Sequence, residues 1–248
     1  MKFIGIIPAR YGSTRFPGKP LADISGKTVI RRVYEQASKA LDTVLVATDD
    51  ERIYNTVEAF GGKVVMTRAD HTCGTDRCLE AYQAITTPIW REQNDTDTVV
   101  INIQGDEPFI QPEQIEALMD CFDTPDTQIA TLVRPFTDKD QPADLENPNT
   151  PKVEWDKVTG KARMFSRQVI ACADGSHYRH IGIYAYRADV LAQITQLPQS
   201  PLEIKERLEQ LRWLENGYCI RVGVTEIPTF GIDTPEDLQK AIEWYKNS

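Results

Sequence analysis

Hydrophobic and polar positions along the chain follow one rhythm up to about residue 129 and another beyond it. Lys2–Ile7 is an almost unbroken apolar run, as expected of a strand covered on both faces, and Pro8 is expected to end it. Val44–Thr48, Lys63–Met66 and Thr98–Ile103 read as further strands. Between them, Val29–Ala40, Glu51–Phe60 and Gly74–Ile85 read as helices, and Pro112–Cys121 opens with a proline in its first turn, where its missing N–H has no helical partner to lose. Strands alternating with helices predict parallel βαβ units, hence an α/β fold on a mostly parallel sheet. Ligands of such sheets sit beyond the carboxyl ends of the strands. The first, second and fourth strands run into PAR, ATDD and QGDEP, so three polar clusters are expected on one edge.

Beyond Ile129 the rhythm breaks. A polar, proline-bearing stretch, Thr137–Pro151, leads to strand-like Lys152–Trp155 and Ala162–Ser166, then to a longer alternating run, Tyr178–Tyr186. Leu202–Glu215 reads as one amphipathic helix, Ile220–Val224 as a strand and Pro235–Tyr245 as a closing helix. No internal repeat or low-complexity linker is visible, and 248 residues are ordinary for one α/β domain. A single domain over 1–248 with an insertion at about 137–187 is therefore expected.

Composition narrows the function classes. With 41% hydrophobic and 26% charged residues this is a globular chain, and no apolar run approaches the ~20 residues of a membrane span. The chain enters a strand at once, which leaves no room for a signal peptide, so a cytoplasmic location without a membrane partner is expected. A net charge of −9 argues against a nucleic-acid surface. Five cysteines without a CxxC pair read as reduced thiols. His177 and His180, three apart on a strand, point to opposite faces and make a poor metal pair.

Against that acidic background one loop stands out. Arg10, Arg15 and Lys19 fall within ten residues around Gly12 and Gly18, a spacing of cations that suits a polyanion such as a triphosphate. It is not a Walker loop, because Pro20 follows Lys19 where Ser or Thr is required, and no GxGxxG follows the strand. On these residues alone, a basic surface loop is an equal reading. Asp106 in QGDEP lies just past a strand end, and Asp233 in GIDTPEDL sits just before a helix that Pro235 begins. Either could bind a hard cation, yet a loop acid and a helix-cap carboxylate are their plain alternatives.

PARYGSTRFPGKPL closely resembles the opening signature of sugar-activating cytidylyltransferases, above all the 3-deoxy-manno-octulosonate cytidylyltransferase (CMP-Kdo synthetase) family. Sialic-acid-activating relatives share only its PAR-x-x-S and P-x-K skeleton. The resemblance runs from Lys2 to about Leu238 through five motifs in order. It implies a three-layer Rossmann-like nucleotidyltransferase fold of glycosyltransferase-A type, with an inserted region that builds a homodimer and covers the sugar. It implies the reaction CTP + Kdo → CMP-Kdo + diphosphate, which activates Kdo for lipopolysaccharide, by direct attack without a covalent enzyme intermediate. Asp106 and Asp233 would hold Mg2+, while Lys19 and Arg15 neutralise phosphate charge.

For the nucleotide, the resemblance implies contacts from Pro8, Ala9, Arg10, Arg15, Lys19 and Asp106, and from Gly74, Thr75 and Arg77 of the GTDR segment. For the sugar acid it implies Gln104, Arg167, His180, Tyr184, Glu209 and Gln210, with Arg167 facing the carboxylate. Asp50 and Glu107 are expected to be spectators or to stand behind the ligands, and not to be ligands themselves. The chain departs from many relatives at Ile204, where they carry His after Ser-Pro-Leu-Glu. Rival readings are a sialic-acid or 8-amino-Kdo cytidylyltransferase and a non-catalytic nucleotide-binding domain; the two aspartates with Lys19 speak against the last.

Overall fold

The computed structural model describes residues 1–13, 15–86, 97–172 and 174–247. The chain divides into two compact units, Met1–Ile115 with Thr229–Ser248, and Glu116–Pro228.

In the first unit, β1 (Lys2–Ala9) is followed by a small hairpin, β2 (Asp23–Ile24) and β3 (Lys27–Thr28), and then by α1 (Val29–Ala40), β4 (Val44–Thr48), α2 (Glu51–Ala59), β5 (Val64–Met66), α3 (Gly74–Thr86) and β6 (Thr98–Asn102). Within this unit the strands lie in the order β5-β4-β1-β6, and β1 with β4, β1 with β6 and β4 with β5 all pair in parallel, with Ile6 opposite both Leu45 and Asn102. Every residue of β4 and β6 is buried, which is why both read as continuous apolar runs. α1 is capped by the Thr28 hydroxyl and α2 by the Asp50 carboxylate.

Contrary to expectation, Pro8 does not end β1; the strand continues to Ala9. The reason lies in the ladder. The Ile6 carbonyl accepts from Ile103 N–H on the β6 side, so Pro8, two residues on, also faces that side. The pairing with β6 has already ended at Ile6–Asn102, and Pro8 keeps only its β4 partner Ala47. Its missing N–H therefore breaks no ladder bond.

The chain enters the second unit within α4 (Pro112–Asp120), which ends in a 3-10 turn at Cys121–Asp123. There follow β7 (Ile129–Pro135), α5 (Pro142–Glu146), β8 (Lys152–Asp156), β9 (Lys161–Ser166), β10 (Tyr178–Arg187), α6 (Ala188–Ile194), α7 (Pro201–Glu206), α8 (Gln210–Glu215) and β11 (Ile220–Val224). β11 pairs with β7 in parallel, but β10 with β7, β8 with β9, and β11 with β9 are antiparallel. The strand pairing is thus mixed, and the mostly parallel sheet expected from the βαβ rhythm is corrected to that extent. β10 carries an irregularity between Ile181 and Tyr184, where its register against β7 shifts. The closing helix α9 (Pro235–Asn247) belongs to the first unit.

The single helix expected over Leu202–Glu215 is also corrected: it is two helices, α7 and α8, with Arg207 between them in the left-handed region (φ 54, ψ 47). Two tertiary contacts explain the break. Arg167 donates from Nε to the Glu206 carbonyl and from Nη2 to the Arg207 carbonyl, taking acceptors a continuing helix would use. Arg212 of α8 pairs in bidentate fashion with the buried Glu203 of α7, at 2.6 and 2.9 Å, which turns α8 back onto α7.

Candidate active site

Within the first unit, a cavity of about 350 Å³ opens at the carboxyl ends of β1 and β6. Pro8, Ala9 and Arg10 line it from the end of β1, and Gln104, Gly105 and Asp106 from the loop after β6. Cys73 and Gly74 line it at the start of α3, while Arg15 and Lys19 come from the basic loop and Asp233 from the turn before α9. The edge predicted from strand order is therefore where these residues meet.

The basic loop owes its shape to its backbone. The Tyr11 carbonyl accepts the N–H groups of both Ser13 and Gly18 at 2.9 Å, and the Ser13 hydroxyl accepts from Phe16. Gly18 sits at φ 74, and a Cβ there would meet the Tyr11 ring at 2.9 Å, so glycine is required on two counts. The Arg52 guanidinium lies 3.3 Å from the centroid of the same ring and clamps it from α2. Lys19 then opens a 3-10 turn with the buried Pro20, which fixes its main chain while leaving the long side chain free to reach.

Four charges converge here. The Lys19 ammonium donates to Asp106 Oδ2 and, at 3.3 Å, to Asp233 Oδ1. Arg15 Nη2 reaches Asp233 Oδ1 at 2.9 Å. The two aspartates come from distant loops, yet one backbone bond pins them side by side: Ile232 N–H donates to the Asp106 carbonyl at 2.8 Å. Ile232 is itself wholly buried against Ile24, Val29 and Ala241. The helix-cap alternative for Asp233 is settled by its neighbours. Asp237 accepts from the backbone N–H of Asp233 and Thr234, and the Thr234 hydroxyl accepts from Asp237 N–H. With Thr234 and Asp237 closing the helix start, the Asp233 carboxylate faces the cavity cations instead.

Glu107, next to Asp106, has a different character. Its Oε2 is shut off from solvent with no hydrogen-bond partner. Burial, with Asp106 beside it, pushes its carboxyl from 4.5 up to about 8. Glu107 does not line the cavity. Asp50 caps α2 and pairs with Arg52.

The GTDR segment opens α3. Arg77 lines the cavity, but its Nη1 donates to the Thr67 hydroxyl at 2.5 Å and its Nη2 to Asp49 at 3.0 Å. Thr75 is buried in α3 and does not line the cavity. Arg77 anchors the start of α3, and Gly74 lines the cavity at that helix end. His71, whose ring pairs with Glu80, and Cys73 also line the cavity, and neither stands out in the sequence.

Gln104 belongs to the cavity; the other five sugar candidates lie in the second unit. Arg167 is bound to three carbonyls, those of Pro148, Glu206 and Arg207. Its own carbonyl accepts from the buried Lys152 ammonium, which also holds Asn147. His180 Nε2 lies 2.9 Å from the Thr131 hydroxyl, and desolvation between Phe165 and Tyr184 pushes its pKa down to about 3, so the ring is neutral. Tyr184 is buried against Tyr186 and Trp213, and burial raises its phenol well above its usual range. Gln210 is buried with its Nε2 unpaired, and Glu209 lies 3.8 Å from Arg212.

Residues 4–227 match the cytidylyltransferase family. The chain is 59% identical to a 3-deoxy-manno-octulosonate cytidylyltransferase of Parabacteroides distasonis, over all of this chain and 99% of that protein. It is 58% identical to the protein of the same description from Bacteroides thetaiotaomicron, again over 100% and 99%. Among solved structures, a CMP:2-keto-3-deoxy-manno-octonic acid synthetase complexed with CTP superposes with a TM-score of 0.88 at 41% identity, over 100% of this chain and 99% of that one.

Proposed function

The chain belongs to the 3-deoxy-manno-octulosonate cytidylyltransferases within the cytidylyltransferase family, and from that premise we propose how its residues turn CTP and Kdo into CMP-Kdo and diphosphate. The observation that carries the assignment to the cavity is the convergence of Lys19, Arg15, Asp106 and Asp233 at its wall. Two cations suit a triphosphate, and two carboxylates meeting on one cation suit a hard divalent ion.

In the proposed reaction the Kdo anomeric hydroxyl attacks the α-phosphorus. A new C–O–P linkage forms while the bond to the bridging oxygen breaks. Diphosphate leaves with that electron pair, and the hydroxyl proton passes to solvent. Lys19 and Arg15 stabilise charge on the phosphates. The amino end of α3 offers a positive dipole to them. Backbone groups of Pro8–Arg10 are the proposed readers of the cytosine edge. The proposed cation is Mg2+, held by Asp106 and Asp233, and when bound it neutralises phosphate charge and makes the attacking hydroxyl more acidic.

For the sugar acid, the proposed contacts are Gln104, Arg167, His180, Tyr184, Glu209 and Gln210. The product would serve lipopolysaccharide synthesis in the cytoplasm, with the protein a homodimer, which light scattering would test. Among the described residues no helix is long and apolar enough to cross a membrane. The test is diphosphate release from CTP, UTP and ATP, each with Kdo, 8-amino-Kdo and N-acetylneuraminate. CTP with Kdo should be fastest, UTP poor and ATP inert. Equal rates with ATP, or a preference for N-acetylneuraminate, would contradict the assignment.

A further inference from the structure

Asp106 and Asp233 are pinned side by side by the Ile232–Asp106 backbone bond, so their like charges face one another whatever else is bound. Two carboxylates so placed require a cation between them. The chain supplies one. The Lys19 ammonium touches both, with its side chain only 15% exposed, and Arg15, 63% exposed, adds a second cation on Asp233. The cluster is therefore balanced, two positive charges against two negative, in the protein alone. A free divalent ion approaching it meets two fixed cations already on its ligands and gains little.

We propose that Lys19, assisted by Arg15, is a place-holder on the carboxylate pair, and that the triphosphate draws both cations away so that a divalent ion is admitted together with the nucleotide. This rests on the reading of Asp106 and Asp233 as the metal pair. The local architecture supports the exchange. Lys19 leaves a fixed 3-10 turn on a flexible four-carbon stem, so the ammonium can swing without the main chain moving. A triphosphate offers about four negative charges to two cations that otherwise share two. Removing the cations frees both carboxylates in positions that the Ile232 bond has already set. The arrangement makes nucleotide and metal binding cooperative through the chain's own side chains, beyond any metal carried in on the phosphates.

The test measures Mn2+ binding to the full chain by electron paramagnetic resonance, without nucleotide. Wild type should bind weakly. Lys19→Met should tighten binding roughly tenfold or more, since a unit charge at contact distance is removed, and Arg15→Gln, on an exposed side chain, should tighten it less. Adding Asp106→Asn to Lys19→Met should abolish the gained site. A parallel thermal-unfolding series should show Mg2+ raising the Tm of Lys19→Met and not of wild type. Arg15→Gln remains informative should Lys19→Met fold poorly. Tight Mn2+ binding by wild type alone, removed by Asp106→Asn, would overturn the place-holder and leave the metal pair standing. Equal affinity in wild type and both cation variants would also overturn the place-holder. Absence of Mn2+ binding at this site in every variant, with or without CTP, would overturn the metal pair as well.

Discussion

Gly105→Ala should injure the enzyme through space alone. A Cβ on Gly105 would lie 2.8 Å from the Pro8 carbonyl oxygen, 3.5 Å from Ile7 Cγ2 and 3.7 Å from Ala9 Cβ. An ordinary C···O contact begins near ~3.3 Å, so something must move by roughly 0.5 Å. Pro8 cannot yield readily, because it belongs to β1 and pairs with Ala47 of β4. The shift therefore falls on the Gly105–Asp106 loop and carries the Asp106 carboxylate off its position beside Asp233. Overpacking of this kind costs about 1–3 kcal/mol, which for a chain of this length lowers Tm by roughly 2–12 °C. A misplacement of about 1 Å costs on the order of 10²-fold in rate, so half that distance predicts about a tenfold loss in kcat. Diphosphate release gives kcat and KM, and calorimetry gives Tm. Wild-type turnover with unchanged Tm would show that the loop absorbs the methyl and that this close approach does not position Asp106.

Asp106→Asn and Asp233→Asn should each reduce turnover by about 10²-fold or more while leaving Tm near wild type, as both lie on loops; near-normal turnover in saturating Mg2+ would remove that aspartate from the ligand set. Glu203→Gln breaks the buried pair with Arg212 and should cost about 3–5 kcal/mol by chemical denaturation, separating α7 from α8. Arg167→Ala should raise KM for Kdo and also lower Tm, because the guanidinium closes the end of α7 as well; an unchanged Tm would contradict the structural half of that role. His180 has its pKa lowered from 6.5 to about 3, so between those values the unfolded chain binds more protons than the folded one. Stability should then rise with pH across that window, and be lost as pH falls below 6.5, by up to about 1.4 kcal/mol per unit. His180→Gln should flatten this slope, and a His180 ring titrating near 6.5 by NMR would refute it.

How much of this was legible depends on where each contact comes from. β4 and β6 were readable because both faces are covered, which leaves an uninterrupted apolar run. Lys19, Arg15, Asp106 and Asp233 were readable as strings, and parallel strand order brought most of their loops to one edge. The break at Arg207 was not, because Arg167, forty positions away, and the Glu203–Arg212 pair impose it on a locally amphipathic stretch. β7 was not legible, because Thr131 interrupts its apolar residues and a polar stretch follows it. Burial of Arg77 was also hidden: an Arg at a helix start looks exposed until Asp49 and Thr67 are brought to it. That Asp233 is not the helix cap was partly legible, since Thr234 and Asp237 have the spacing of a capping pair.

Phosphorus-31 NMR of the protein with CTP, Kdo and Mg2+ tests the proposed reaction at this cavity most directly. The predicted result is loss of the three CTP resonances with equimolar growth of the CMP-Kdo phosphodiester and diphosphate, at least 10²-fold slower in Asp106→Asn. Formation of CDP and inorganic phosphate, or conversion of CTP at the same rate without Kdo, would contradict it.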